Sequence, residues 1–167
     1  MRKITTLLGT LLCMTAMAAP ISVSGPDGKL TVTVTEDASY SVSLDGRTIL
    51  LPSPLGFNSN RGDFSSAKVT DAQSSVDEGS YTLDRIKKAA IHYRYNVLFC
   101  TLTNDAGDTV KVEFRVSDSD VAFRYVVDNP KWASIRILEE KTGFVFPDHT
   151  TTFLTPQSDA MIGWQRT

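Results

Sequence analysis

The chain has 167 residues, a formal net charge of −2 and two cysteines. Its length allows one domain of ordinary size with a sizeable core. The slightly acidic balance argues against nucleic acid as a partner, and two histidines with so few cysteines cannot build a closed zinc site.

At the N-terminus, Arg2-Lys3 precedes an apolar run from Ile4 to Ala18 that ends in Ala16-Met17-Ala18, a small-x-small cleavage pattern. The run is shorter than the ~20 residues that span a bilayer. Residues 1–18 therefore read as an export signal cut after Ala18, leaving 19–167 as a periplasmic domain with no stable membrane anchor. Cys13 inside the run raises a lipoprotein signal as the alternative, although Leu12 stands where such signals carry Gly or Ala. Once the signal is removed Cys100 is the only cysteine, so the domain relies on its core and not on an internal disulfide.

Along the mature chain, Pro20 to Gly28 is a turn-rich lead-in with Gly25-Pro26-Asp27-Gly28 as its strongest signal. Lys29 to Thr35 alternates through Leu30, Val32 and Val34, and Tyr40, Val42 and Leu44 do the same. Asp45-Gly46 is a two-residue hairpin turn, Arg47 to Leu51 the return strand, and Pro52-Ser53-Pro54 its expected end. Gly56 to Phe64 reads as a loop, Lys68 to Val76 as a weaker strand, and Asp77 to Ala90 as irregular. Ile91 to Thr103 is apolar on both parities, which predicts a central strand covered on each side.

After the turn Asn104 to Asp108 comes the clearest pattern. Val110, Val112, Phe114 and Val116 alternate with Lys111, Glu113 and Arg115, and Val121, Phe123, Tyr125 and Val127 resume the period beyond Ser117 to Asp120. Period two across a short Asp/Ser turn predicts an antiparallel hairpin with one apolar face, which needs a second layer to cover it. Ser134 to Thr142, Gly143 to Phe146 and Thr150 to Thr155 are further β-like runs. Closely spaced strands without an amphipathic helix predict an all-β antiparallel sandwich. Met161 to Thr167 carries Trp164 and lacks a polar tail, so the domain is expected to be incomplete at its C-terminal end.

Chemistry-bearing patterns are sparse. There is no G-x-S-x-G elbow and no D-x-[DN]-x-[DN]-G calcium loop. Asp118 and Asp120, like Asp105 and Asp108, sit in turns that favour aspartate for local hydrogen bonds. Glu139 and Glu140 point to opposite faces of a strand and cannot flank one bond. His92 lies in the apolar strand and reads first as a core or interface histidine; His149 reads as a loop residue. Trp132 and Trp164 suit either sugar stacking or a core position. Arg85, Lys87 and Lys88 form a solvated cluster or line a cleft.

Several segments resemble, in order and spacing, the N-terminal domain of glycoside hydrolase family 97 from Leu30 to Trp164. They are Gly25-Pro26-Asp27-Gly28-Lys29-Leu30, Tyr40-Ser41-Val42-Ser43-Leu44-Asp45-Gly46, Pro52-Ser53-Pro54-Leu55-Gly56, Ser75-Val76-Asp77-Glu78, His92-Tyr93 and Asp120-Val121-Ala122-Phe123-Arg124-Tyr125. The resemblance implies a galactose-mutarotase-like β-super-sandwich preceding a catalytic (β/α)8 barrel and a small C-terminal β domain. It implies a parent α-glucosidase or α-galactosidase whose catalytic carboxylates lie in the barrel, together with most ligands of a calcium ion. The calcium-binding glutamate of the N-terminal domain is expected just beyond Thr167. The chain alone is then a non-catalytic module without cofactor, packed on the barrel of the same polypeptide and helping to wall a carbohydrate cleft. The alternative is a free-standing carbohydrate-binding domain of a glycan-uptake system. Arg85, Lys88, His92, Trp164 and Gln165 are the candidates for carbohydrate or interdomain contact. One departure stands out: Gly79-Ser80-Tyr81-Thr82-Leu83-Asp84-Arg85 occupies the place of the family's Trp-rich segment.

Overall fold

The computed structural model describes residues 21–83 and 90–151. Among the described residues every regular element is a strand and every strand pairing is antiparallel. The first sheet runs in sequence order: β1 (Ile21–Ser24), β2 (Leu30–Val34), β3 (Ser39–Leu44) and β4 (Arg47–Pro54). The second contains β7 (Lys68–Thr82), β8 (Ala90–Thr103), β9 (Thr109–Val116) and β10 (Val121–Val126), in the spatial order β10-β9-β8-β7. A small third sheet joins β5 (Phe57–Ser59) to β6 (Gly62–Asp63) and to β11 (Ile137–Glu140), in the order β11-β5-β6.

The two four-stranded sheets face each other, as the alternation requires. Leu30, Val32, Val34, Tyr40, Val42 and Leu50 of the first layer share one buried cluster with Leu98, Cys100, Leu102, Val110, Val112, Phe114 and Val116 of the second. Tyr40, Phe114 and Phe123 form its aromatic centre, with ring centroids 5.6–5.7 Å apart. Burial pushes the Tyr40 phenol up to about 12, so its hydroxyl stays a donor and bonds the Gly143 carbonyl at 3.1 Å. Cys100 is a free, buried thiol that burial, with a smaller contribution from Asp71, pushes up to about 11. The sandwich is thus closed by apolar packing.

The expected hairpins are present. Asp45 and Gly46 both have positive φ, 49° and 77°, as a two-residue primed turn requires. The β9–β10 register sets Val121 opposite Val116 and Phe123 opposite Phe114. Of the aspartates of that turn, Asp120 is held locally, accepting from the Ser117 and Ser119 hydroxyls, whereas Asp118 accepts from the distant Asp27 amide at 2.8 Å.

Other boundaries differ from the sequence reading. The lead-in before Gly25 is a strand, β1, because β2 offers it an edge. The return strand runs through Pro52 and Pro54 to its end because β4 is an edge of its sheet, where a missing donor is tolerated. The expected loop from Gly56 to Phe64 contains β5 and β6, whose partner β11 lies far downstream. The strand expected to end at Val76 continues to Thr82, since β8 supplies a partner residue for each position as far as Ala90. β8 is interior, as its apolar run implies, yet β9 covers it only from Asn96 to Thr103. The half from Ala90 to Tyr95 pairs with β7 alone and projects as a two-stranded ribbon. The β-like run from Thr150 to Thr155 lies outside the described residues beyond Thr151.

Candidate functional site

Of the five candidate residues, Arg85, Lys88, Trp164 and Gln165 lie outside the described residues. His92 is exposed on the projecting ribbon, opposite Ser80, and shares its face with Arg94 and Glu78. A core histidine is therefore the wrong reading: its strand is apolar in sequence, but the covering layer stops before this position. Trp132 does pack as a core-edge residue, edge-on to Phe64 at 6.3 Å.

Two surfaces stand out. The first is apolar and lies along the β4 edge. The Val145 carbonyl accepts from the Leu51 amide at 2.8 Å, and the Val145 amide donates to the Ser53 hydroxyl at 2.9 Å, pinning the 143–146 segment to that edge. Phe144 nevertheless remains 59% exposed and Leu138 57% exposed, and Ile49, Leu51, Ile137, Val145 and Phe146 are also open. A depression of about 240 Å³ between the layers is lined by Val42, Ile49, Val121, Phe144 and Phe146, among others. Beside it lies a more polar groove of about 450 Å³ with Arg47, Thr48, Asp148 and His149. His149 has φ 67° there, a left-handed conformation uncommon outside glycine.

The second surface is the outer face of the β7–β10 sheet. Period two places Lys111, Glu113 and Arg115 on that face, where solvated charges are the ordinary expectation. The Glu113 side chain is instead only 1% exposed. Its two oxygens accept from Arg115 Nε and Arg124 Nε, each at 2.6 Å, and Arg115 also reaches Asp77 at 2.5 Å. Burial disfavours the charged form of Glu113, but the bonds from Arg115 and Arg124 outweigh it and hold the carboxyl below its usual range. The same bond from Glu113 leads the effects that raise the Arg115 value. This cluster escaped the sequence reading, although the hairpin pattern contains its signal: a turn at Ser117–Asp120 puts Arg124 directly opposite Glu113.

Neither surface carries a hydrolytic pair. Four surface depressions among the described residues hold at most one carboxylate each, and Glu113 has both oxygens committed. Among the described residues no group of three or more His, Cys, Asp or Glu side chains could hold a metal ion. The calcium implied by the sequence resemblance is expected in the barrel and at a glutamate beyond Thr167, outside the described residues.

The family model described as Glycosyl-hydrolase 97 N-terminal matches residues 23–166. The chain is 29% identical over 158 residues to a retaining alpha-galactosidase of Bacteroides thetaiotaomicron, covering 90% of this chain and 23% of that one. It is 31% identical over 140 residues to a probable retaining alpha-galactosidase of Streptomyces bingchenggensis, covering 83% and 22%. Among solved structures, that of a beta-arabinopyranosidase superposes with a TM-score of 0.76 at 49% identity over 86% of this chain and 24% of that one. A family 97 enzyme of Pseudoalteromonas sp. strain K8, in complex with acarbose, gives 0.67 at 25% identity over 77% and 20%. The chain thus spans less than a quarter of the length of the curated relatives it matches.

Proposed function

This chain belongs to glycoside hydrolase family 97 as its N-terminal domain, and on that premise we propose that it is the non-catalytic module of an exported enzyme acting on α-glycosides. In this reading the sandwich packs on a catalytic (β/α)8 barrel of the same polypeptide and helps wall the carbohydrate cleft. Arg85, Lys88, Trp164 and Gln165, which lie outside the described residues, and His92 on the ribbon are then contacts to carbohydrate or to the barrel. The compartment is the periplasm, reached through the signal at 1–18, and the parent's calcium is held mostly by the barrel, with one glutamate of this domain beyond Thr167. The names of the relatives favour α-galactosides or β-arabinopyranosides over α-glucosides as substrates, with retention of configuration.

The observation that carries the packing role is the apolar strip along β4. Ile49, Leu51, Phe144, Val145 and Phe146 lie open along that edge, a concentration that marks an interface. Its contribution to catalysis is positional: holding substrate and barrel in one geometry lowers the entropic part of the barrier.

Two measurements test this. Light scattering on the mature chain should show self-association that Phe144→Asp with Leu138→Asp relieves. A monodisperse monomer with no such dependence counts against the packing role. Assays with aryl α-galactosides and α-glucosides should show no turnover by the chain alone, and turnover abolished by Asp118→Asn or Asp120→Asn would reverse the non-catalytic assignment.

A further inference from the structure

The outer face of the β7–β8 ribbon carries a row of aromatic rings that the packing role does not use. In the ribbon register Asp77 is opposite Tyr95, Gly79 opposite Tyr93 and Tyr81 opposite Ile91, so all six share one face. The rings follow one another, Tyr81 to Tyr93 at 6.4 Å and Tyr93 to Tyr95 at 5.7 Å between centroids. Tyr93 lies across its neighbour strand. A Cβ at Gly79 would meet the Tyr93 hydroxyl at 2.7 Å and ring carbons at 2.9 and 3.2 Å, so only glycine leaves the space the ring occupies. Tyr81, at the outer end, is 48% exposed.

The row leads directly into the charged cluster. Asp77, beside Tyr95, holds Arg115; Arg115 and Arg124 together hold Glu113. Two carboxylates and two guanidinium groups cancel, so this is not a site for a strongly charged ligand. The carboxylates are occupied, whereas Arg124 commits only its Nε, and its side chain is 66% exposed. Its remaining N–H groups, and the free ones of Arg115, border a depression of about 290 Å³ lined also by Ala122 and Phe123. Fixed donors of this kind suit hydroxyl and ring oxygens, because the acids beneath them hold the forks in place.

Flat aromatic faces beside pre-oriented planar donors, with no net charge, match the chemistry of a neutral oligosaccharide: C–H faces to stack and hydroxyls to accept hydrogen bonds. We propose that Tyr81, Tyr93 and Tyr95, with Arg115 and Arg124, form a surface subsite for a neutral oligosaccharide, on the ribbon face opposite the one that carries His92. The assignment of sugar as the ligand class rests on the family reading above. The site lies on the outer face of the second sheet, whereas the open aliphatic strip lies along the β4 edge of the first. Composition thus separates the two surfaces, an apolar one for the polypeptide's own packing and an aromatic, polar one for a solvated ligand.

The test uses the complete polypeptide that carries this domain, with maltohexaose and stachyose as probes in titration calorimetry. Tyr93→Ala and, at the exposed outer end of the row, Tyr81→Ala should each weaken binding of at least one probe by about tenfold. Hydrolysis of a small aryl α-glycoside, which cannot reach both sites, should be unchanged. Probe binding unaltered in both variants overturns the proposal. If the parent proves not to be a hydrolase and the variants still lose probe binding, the subsite stands and only the module reading fails.

Discussion

Glu113 shows how far one residue departs from its pattern. Alternation puts it on the polar face, yet its neighbours bury it, and a buried carboxylate persists only when paired. Both arginines are partly or largely open to solvent, so the attraction itself is screened and the dominant cost of a change is the unsatisfied burial. Glu113→Gln should lower unfolding stability by roughly 2 kcal/mol, read from urea denaturation. The pH dependence has a definite sign. Because the folded value is depressed below the ordinary 4.5, the stabilisation is present above that pH and is lost as pH falls through the lower folded value. Wild type should therefore lose stability on acidification more steeply than Glu113→Gln; parallel profiles would contradict the pairing. Pairing partners two and eleven residues away were within reach of the sequence once the hairpin register was assumed.

At the scale of elements, Gly56 explains why a stretch that reads as a loop is ordered. Its amide donates to the Tyr125 hydroxyl at 2.7 Å, its carbonyl accepts from the Lys141 amide at 3.0 Å, and Tyr125 is 2.6 Å from the Thr142 hydroxyl. It joins β4, β10 and the third sheet at one point. Its φ of 132° and the Phe64 carbonyl oxygen 2.5 Å from a built Cβ leave no room for a side chain. Gly56→Ala should cost about 3 kcal/mol, with hydrogen exchange accelerated first in β5 and β11. Exchange unchanged there would mean the junction is not what orders them. None of this was visible along the chain, because the partners are separated by tens of residues. The primed Asp45-Gly46 turn, by contrast, needs only two adjacent residues and was legible at once.

For the whole molecule, one two-layer core carries the stability, with Cys100, the one cysteine among the described residues, free and buried inside it. Phe114 is at its centre, fully buried between Tyr40 and Phe123. Phe114→Ala should cost about 4 kcal/mol in unfolding free energy, and a loss below about 1 kcal/mol would place the centre elsewhere. The sequence by itself determined the all-β class, the β9–β10 hairpin, the primed turn and the family, because period-two alternation, turn chemistry and motif spacing are properties of neighbouring residues. Local turn hydrogen bonding was legible for Asp120, whereas Asp118 bonds the distant Asp27 amide. Only the tertiary structure decided that His92 is exposed, that Glu113 is buried, that Phe57–Ser59 and Gly62–Asp63 are strands and that three tyrosines line one ribbon face. Each of those depends on where a covering layer ends or which distant strand supplies a partner, and such facts arise only when segments far apart in the chain meet.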